Sequence, residues 1–483
     1  MRLNLNSPAT SGLQSIWIVV LLALPWLQPW APAPQANTVP LLISWACMTL
    51  LLVFAPGLRT HDVARAWVVA ALISSAMGLV QYFGFAGAFS PWVHVPAGLA
   101  EANANLRQRN QLATLLAMGV LAVLWWQANG LKTRHALWML ALVAIGNAAT
   151  ASRTGLLHMV LVLLLAVYWS KRHANREKMA WPLALWAWLI YVIASALLPW
   201  ALSMATGQAG ESAWARLSQD EACGSRRVLW SNVLQLIEQR PWLGWGWGEL
   251  KYAHYMADYP GGRANRFCDI LGNAHNLPLH LAVTLGIPVA VLIVCTLVVL
   301  VLRMRPWKSR QLHHQLAWSV LAVIGLHSLL EFPLWYGPFQ LAVLLCFGLL
   351  MRSPSSGLWV WPATVRALAV AALAILSVVA VDYARVRQIY MPAAQRWLWW
   401  REDPMGAAQA SWFFGASAQF AELSLTPVTP DNAAHMLQLS QTLLHYSPEP
   451  KVIHPLIDSA HLLGQEDLAQ WHQKQLNKVY PDP

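Results

Sequence analysis

Charge is what this chain is poorest in. Asp, Glu, Lys and Arg supply 11% of its 483 residues, where a soluble domain carries about 25%, so a surface solvated by water on every side is excluded. Carboxylates are the scarcer sign, 21 against 32 basic residues. Between the later apolar runs they are scattered (Asp220, Glu221, Asp258, Asp269), with no D-x-D, and a metal site built on clustered carboxylates is not expected. Cysteine is sparse as well. Cys47, Cys223, Cys268, Cys295 and Cys346 show no C-x-x-C spacing, which argues against zinc or thiol-redox chemistry. Cys223 and Cys268 share one loop, where an oxidising compartment would let them pair. The first apolar segment lacks a clear small-residue cleavage site and is followed by more, so it is expected to be a retained helix.

What the chain has in abundance is apolar surface: 57% hydrophobic residues and 29 Trp. Crossing about 30 Å of hydrocarbon takes about 20 apolar residues in a helix. Segments of that character lie near 14–29, 39–56, 66–84, 111–127, 136–150, 154–169, 181–203, 277–301, 315–330, 335–351 and 363–381. The expected fold is therefore an all-α polytopic membrane protein of about eleven spans. The net charge of +11 sits in short runs between these segments, a topological pattern rather than a nucleic-acid surface. With the N-terminus in the cytoplasm, alternate connections carry Arg59 and Arg65, Lys132 and Arg134, Lys171, Arg172, Arg176 and Lys178, then Arg303, Arg305, Lys308 and Arg310, and last Arg352 and Arg366. All fall on one side, as the positive-inside rule requires. The expected domains are a transmembrane unit, 1–381, including a large periplasmic loop at 204–276, and a periplasmic tail, 382–483. The tail carries amphipathic stretches at 432–446 and 455–480, the pattern of a small helical domain, read either as a plain cap or as an acceptor-docking module.

Several arginines fall on the other, extracytoplasmic side: Arg107, Arg109, Arg153, Arg216, Arg226, Arg227, Arg240, Arg263 and Arg266. Topology does not call for them there. Arg153 stands in Thr150-Ala-Ser-Arg-Thr-Gly155 between two apolar helices with almost no loop, where a charge is costly and so points to function, the alternative being snorkelling to headgroups. Guanidinium forks converging on one place suit a diphosphate. Arg226 and Arg227 precede a segment expected to be an interfacial helix, and Gly244-Trp-Gly-Trp-Gly248 is expected to be a flexible aromatic turn at headgroup level. His275, in Asn273-Ala-His-Asn-Leu-Pro-Leu-His280, opens the next apolar segment. Histidine is the side chain suited to take a proton from a hydroxyl near neutral pH, and Asn276 would orient it or cap the helix. Arginines neutralising a diphosphate leaving group while His275 activates an acceptor hydroxyl make an inverting, cofactor-free and metal-independent glycosyl transfer.

These residues resemble the O-antigen ligase and O-linked oligosaccharyltransferase superfamily, which also includes polysaccharide polymerases. His275-Asn276, nine residues and Gly286 are similar to its histidine motif; Ser152-Arg153 and Ser225-Arg226 with Trp230 are similar to its arginine motifs. The resemblance spans residues from about 100 to 350. It implies a GT-C-type helical bundle, an undecaprenyl diphosphate-linked glycan donor, diphosphate binding by Arg153 and Arg226 with Arg227 left open beside it, and His275 as the base. His327-Ser-Leu-Leu-Glu-Phe-Pro-Leu-Trp-Tyr336 looks like the signature of the protein-glycosylating branch, which modifies pilins and other secreted proteins on Ser or Thr. Arg109-Asn-Gln-Leu-Ala113 is similar to that branch's N-terminal motif. Arg109 and Glu331 are supporting candidates. The expected activity is O-oligosaccharyl transfer to protein. Ligation to lipid A-core and polymerisation differ only in the acceptor. A lipid-linked sugar transporter is disfavoured, because no internal repeat is visible and the odd charges gather at one face.

Overall fold

A computed structural model of the chain describes residues 8–55, 57–172, 180–208, 210, 213–214, 223–351 and 362–480. Arg176, Lys178, Arg216, Asp220, Glu221 and Arg352 lie outside these residues, as do the side chains of Arg172 and Arg263. The regular elements that are described are helices. In chain order they begin with α1 (Pro8–Leu27), α2 (Thr38–Phe54), α3 (Thr60–Tyr82), α4 (Arg109–Ala128), α5 (Thr133–Ala149), α6 (Arg153–Arg172) and α7 (Trp181–Thr206). Next come α8 (Arg226–Gln239), α9 (Leu250–Met256), α10 (Leu277–Leu285), α11 (Ile287–Met304), α12 (Leu312–Ser328), α13 (Gly337–Met351) and α14 (Ala363–Arg387). The tail adds α15 (Pro404–Gln409), α16 (Gly415–Leu425), α17 (Ala433–Tyr446), α18 (Pro450–Leu462) and α19 (Glu466–Val479).

By contact the chain divides into two compact units: Met1–Ala31, Ala36–Gln219 and Leu302–Leu376 form the first, and Pro32–Gln35, Asp220–Val301 and Ser377–Pro483 the second. The first is built around α4. That helix is apolar on all sides and buried from Gln111 to Trp125, packed by α3, α5, α6 and α12, as an all-round apolar helix inside a bundle must be. The opposite case is α11, whose apolar side chains stay uncovered, Leu292 at 66% exposure among them. Surface of that kind is solvated by lipid rather than water. Among the described residues six helices, α3, α4, α6, α7, α11 and α14, are long and apolar enough to cross a membrane, and α2, α13 and most of α1 are shorter apolar helices. The protein is accordingly polytopic and membrane-embedded.

Two expectations about elements need correction. The apolar run 277–301 is not one helix. It breaks at Gly286, where φ is +85°, because the Trp242 carbonyl occupies the space a β-carbon would need there, so only glycine passes. The tail stretch 455–480 is likewise two helices. Pro455 lies inside α18, and the break falls at Gly464, with φ +70°, as a left-handed glycine after a helix end dictates.

Within the second unit, α8 to α10 enclose a small core of Leu229, Val233, Leu236, Leu250, Leu271, Ala274 and Val283. The tail helices α17, α18 and α19 pack in succession around Met436, Leu443, Val452, Ile453, Leu456 and Ile457, and Tyr255 of α9 is buried in that same core. The long loop and the tail are thus one folded body.

Candidate functional site

Each candidate in the second unit is set by a local rule. Ser225 caps α8, its Oγ accepting the Val228 N–H at 3.3 Å, so Arg226 is the first helical residue; Arg226 is half-buried and Arg227 exposed. Asn276 caps α10, its Oδ1 accepting from Leu279 N at 3.1 Å, with Pro278 in the first turn. Of the two roles expected for Asn276, this bond is the cap. His275 precedes that cap with φ +50°, a left-handed conformation that few non-glycine residues adopt. Asn273 holds it there, its side-chain oxygen accepting the His275 N–H at 2.9 Å, an Asx turn. One more bond ties the two motifs together. The Trp230 indole N–H, one turn into α8, donates to the carbonyl of Ala274 at 3.0 Å, so the arginine-bearing helix and the histidine's own backbone are clamped.

The Gly-Trp turn is not the flexible loop expected. Trp245 N–H donates to Val283 O and Gly246 N–H to Thr284 O, both at 2.9 Å, and the Trp245 indole donates to Leu236 O at 2.9 Å. Trp242 and Trp247 stay exposed, at 75% and 60%. Three of the arginines expected on the extracytoplasmic side have structural partners instead. Arg266 is buried, its guanidinium donating to Ala257 O at 2.9 Å and His254 O at 2.6 Å. Arg240 lies over the Trp245 ring at 4.1 Å, and in the first unit Arg107 donates to Pro29 O at 2.8 Å. These three are structural staples. Burial, helped by the Arg266 charge, pushes His254 down to about 3. It is bonded as a neutral ring between the Tyr259 hydroxyl at 2.7 Å and the Phe267 carbonyl at 3.2 Å.

In the first unit, Arg153 opens α6 and Arg109 opens α4. A polar chain runs beside them. Ser152 Oγ accepts the Gly155 N–H at 2.9 Å, capping α6, and donates to Asn110 Oδ1 at 2.6 Å. Asn110 Nδ2 donates to Glu331 Oε1 at 3.2 Å. The chain demands close passage of α4 and α6, and a β-carbon at Gly155 would stand 3.0 Å from that of Ala113. Thr114 Oγ1 donates to Asn110 O at 2.8 Å and lies 2.8 Å from His327 Nδ1; its single proton being spent, the ring nitrogen is the donor. Glu331 is 6% exposed. Sequence reasoning named Arg109 and Glu331, but it is Asn110 that links Glu331 to Ser152, and Asn273 and Trp230 that set His275. The signal for Asn110 was its place in the Arg109-Asn-Gln-Leu-Ala113 motif, where the arginine rather than the amide was singled out.

Arg109, Arg153 and Arg226 therefore share one feature: each is the first residue of its helix. A helix start carries partial positive charge, and each of these guanidiniums adds to it.

Three family models match the chain. One described as O-Antigen ligase covers residues 138–294, one described as Protein glycosylation ligase covers 102–126, and one described as Virulence factor membrane-bound polymerase, C-terminal, covers 315–483. A general O-oligosaccharyltransferase of Acinetobacter baylyi is 24% identical over 324 residues, 65% of this chain and 55% of that protein. The chain thus spans a little over half the length of that curated relative. Arg153, Arg226 and His275 all fall inside the first match. The resemblance to the O-antigen ligase and O-linked oligosaccharyltransferase superfamily, read from the motifs, is borne out by these matches.

Proposed function

We propose that this protein is an O-oligosaccharyltransferase of the bacterial inner membrane. It moves a preassembled glycan from undecaprenyl diphosphate to Ser or Thr hydroxyls of periplasmic, pilin-like proteins. The acceptor oxygen attacks the anomeric carbon, the bond from that carbon to the diphosphate oxygen breaks, and the acceptor proton passes to His275, inverting the centre. Arg153 and Arg226, with Arg227 beside the latter, hold the diphosphate as its charge grows. Arg109, Glu331 and Asn276 support them. Eleven helices cross the membrane from a cytoplasmic N-terminus, which puts the loop 204–276 and the tail 382–483 in the periplasm, where the tail presents the acceptor.

The observation that carries this reading is the Trp230 bond to Ala274, which joins the Arg226 helix start to the backbone of His275, leaving-group contact to base. A second reading keeps the donor chemistry and changes the acceptor to lipid A-core or a growing polysaccharide; the matches to an O-antigen ligase and to a polymerase C-terminal region favour keeping it. A deletion strain separates them. Loss of glycan from a secreted protein with lipopolysaccharide intact supports protein transfer. Loss of O-antigen from lipid A-core with glycoproteins intact moves the assignment to the ligase.

A further inference from the structure

The end of α1 and the start of α2, the loop before α4 and the turn before α13 frame a cavity of about 230 Å³ in the first unit. Its size is below the roughly 300 Å³ at which pockets take a whole small molecule, so it suits one part of a larger one. Arg107 is the one charged residue among those described as lining it, and its guanidinium already donates to the Pro29 carbonyl. A diphosphate would find little there. Pro25, Pro40 and Pro338 give apolar walls, while Gln108 and Gln111 offer amides. Side-chain amides carry both donors and acceptors, as each peptide group does. Gln108 caps α4, its Oε1 accepting the Gln111 N–H at 2.6 Å, and Gln111 bonds to the Tyr336 hydroxyl, so the amides are held in place.

Two of the three segments that meet at this cavity bear on protein acceptors. Residues 105–111 lie within the match to a protein glycosylation ligase, and Tyr336 ends the second segment that resembles that branch. Asn110, bonded to Glu331 and Ser152, separates the cavity's Gln111 from Arg109. The geometry points to this cavity as the acceptor subsite, taking an extended polypeptide segment that flanks the hydroxyl to be glycosylated. The inference rests on the transferase reading above and names where its acceptor sits.

Ala36 lines the cavity and is exposed, so it tolerates replacement. A photo-crosslinking p-benzoylphenylalanine at position 36 is exposed, in the full chain, to a Ser-containing peptide and to a soluble oligosaccharide. Peptide crosslinking is expected; crosslinking to the oligosaccharide alone, or to neither, overturns the assignment. In parallel, Ala36→Trp should raise the peptide KM by roughly tenfold and leave the KM for lipid-linked donor unchanged. Peptide crosslinks in a protein that transfers no glycan keep the polypeptide site and sink the transferase reading. Transfer with an unchanged peptide KM and no crosslink sinks the site and keeps the transferase.

Discussion

An arginine at the first position of a helix works against the macrodipole, at a cost of about 0.3–1 kcal/mol when nothing compensates. Arg109, Arg153 and Arg226 each accept that position, and an anion bound there would reverse the sign of the interaction. Arg153→Ala and Arg226→Ala should therefore each weaken use of the lipid-linked donor by about 2 kcal/mol, roughly thirtyfold in kcat/KM. Lysine should restore only part, since it lacks the planar fork. Arg227 is exposed, and Arg227→Ala should matter less; the reverse ranking in a reconstituted transfer assay would reassign the contact to Arg227. His275→Ala should abolish transfer while donor binding, read by retention of labelled lipid, persists. Turnover at the wild-type rate would remove histidine from the role of base.

At the scale of elements, the site depends on short-range devices that set backbone more than on side-chain reach. Trp230→Phe keeps most of the ring's packing against the α8 to α10 core and deletes the bond to Ala274. The cost in stability should be near 1 kcal/mol, yet kcat should drop several-fold, because the left-handed His275 loses one of its restraints. An unchanged kcat would mean that Asn273 alone positions the histidine. The helices themselves were legible in the sequence, since apolar runs of membrane length have few alternatives. Caps at Ser225 and Asn276 were written in the residues beside the motifs. The break at Gly286 was not, because the apolar run continues through it and the carbonyl that forbids a β-carbon comes from Trp242, far back in the chain. The same holds for Arg266. Its position suggested a phosphate contact, and only folding reveals the carbonyls of His254 and Ala257 that occupy it.

Over the whole molecule, the long loop cannot be separated from the tail. Tyr255 of α9 donates to or accepts from His472 Nδ1 at 2.9 Å, Gln475 bonds the Tyr255 carbonyl, and Lys478 pairs with Asp258, so the two halves of the second unit lean on one seam. Burial pushes His472 down to about 4, as it does His254 to about 3. Unfolded, both rings would take up a proton below about pH 6.5; folded, they refuse it until their own lower values. Stability of this unit is thus complete above pH 6.5 and should fall by a few kcal/mol as the pH drops toward 4. A thermal melt that is flat between those values would show that the seam tolerates charge. Cys223 and Cys268 are joined, their α-carbons 5.3 Å apart, across 45 residues, while Cys47, Cys295 and Cys346 are free. That pair makes the chain its own compartment gauge. Denatured without reductant, the protein should take three maleimide–PEG tags on those free thiols, and after reduction one for each of its five cysteines. Five tags before reduction would report a loop that folded on the reducing side of the membrane, with no fusion or antibody needed to learn which way the molecule faces.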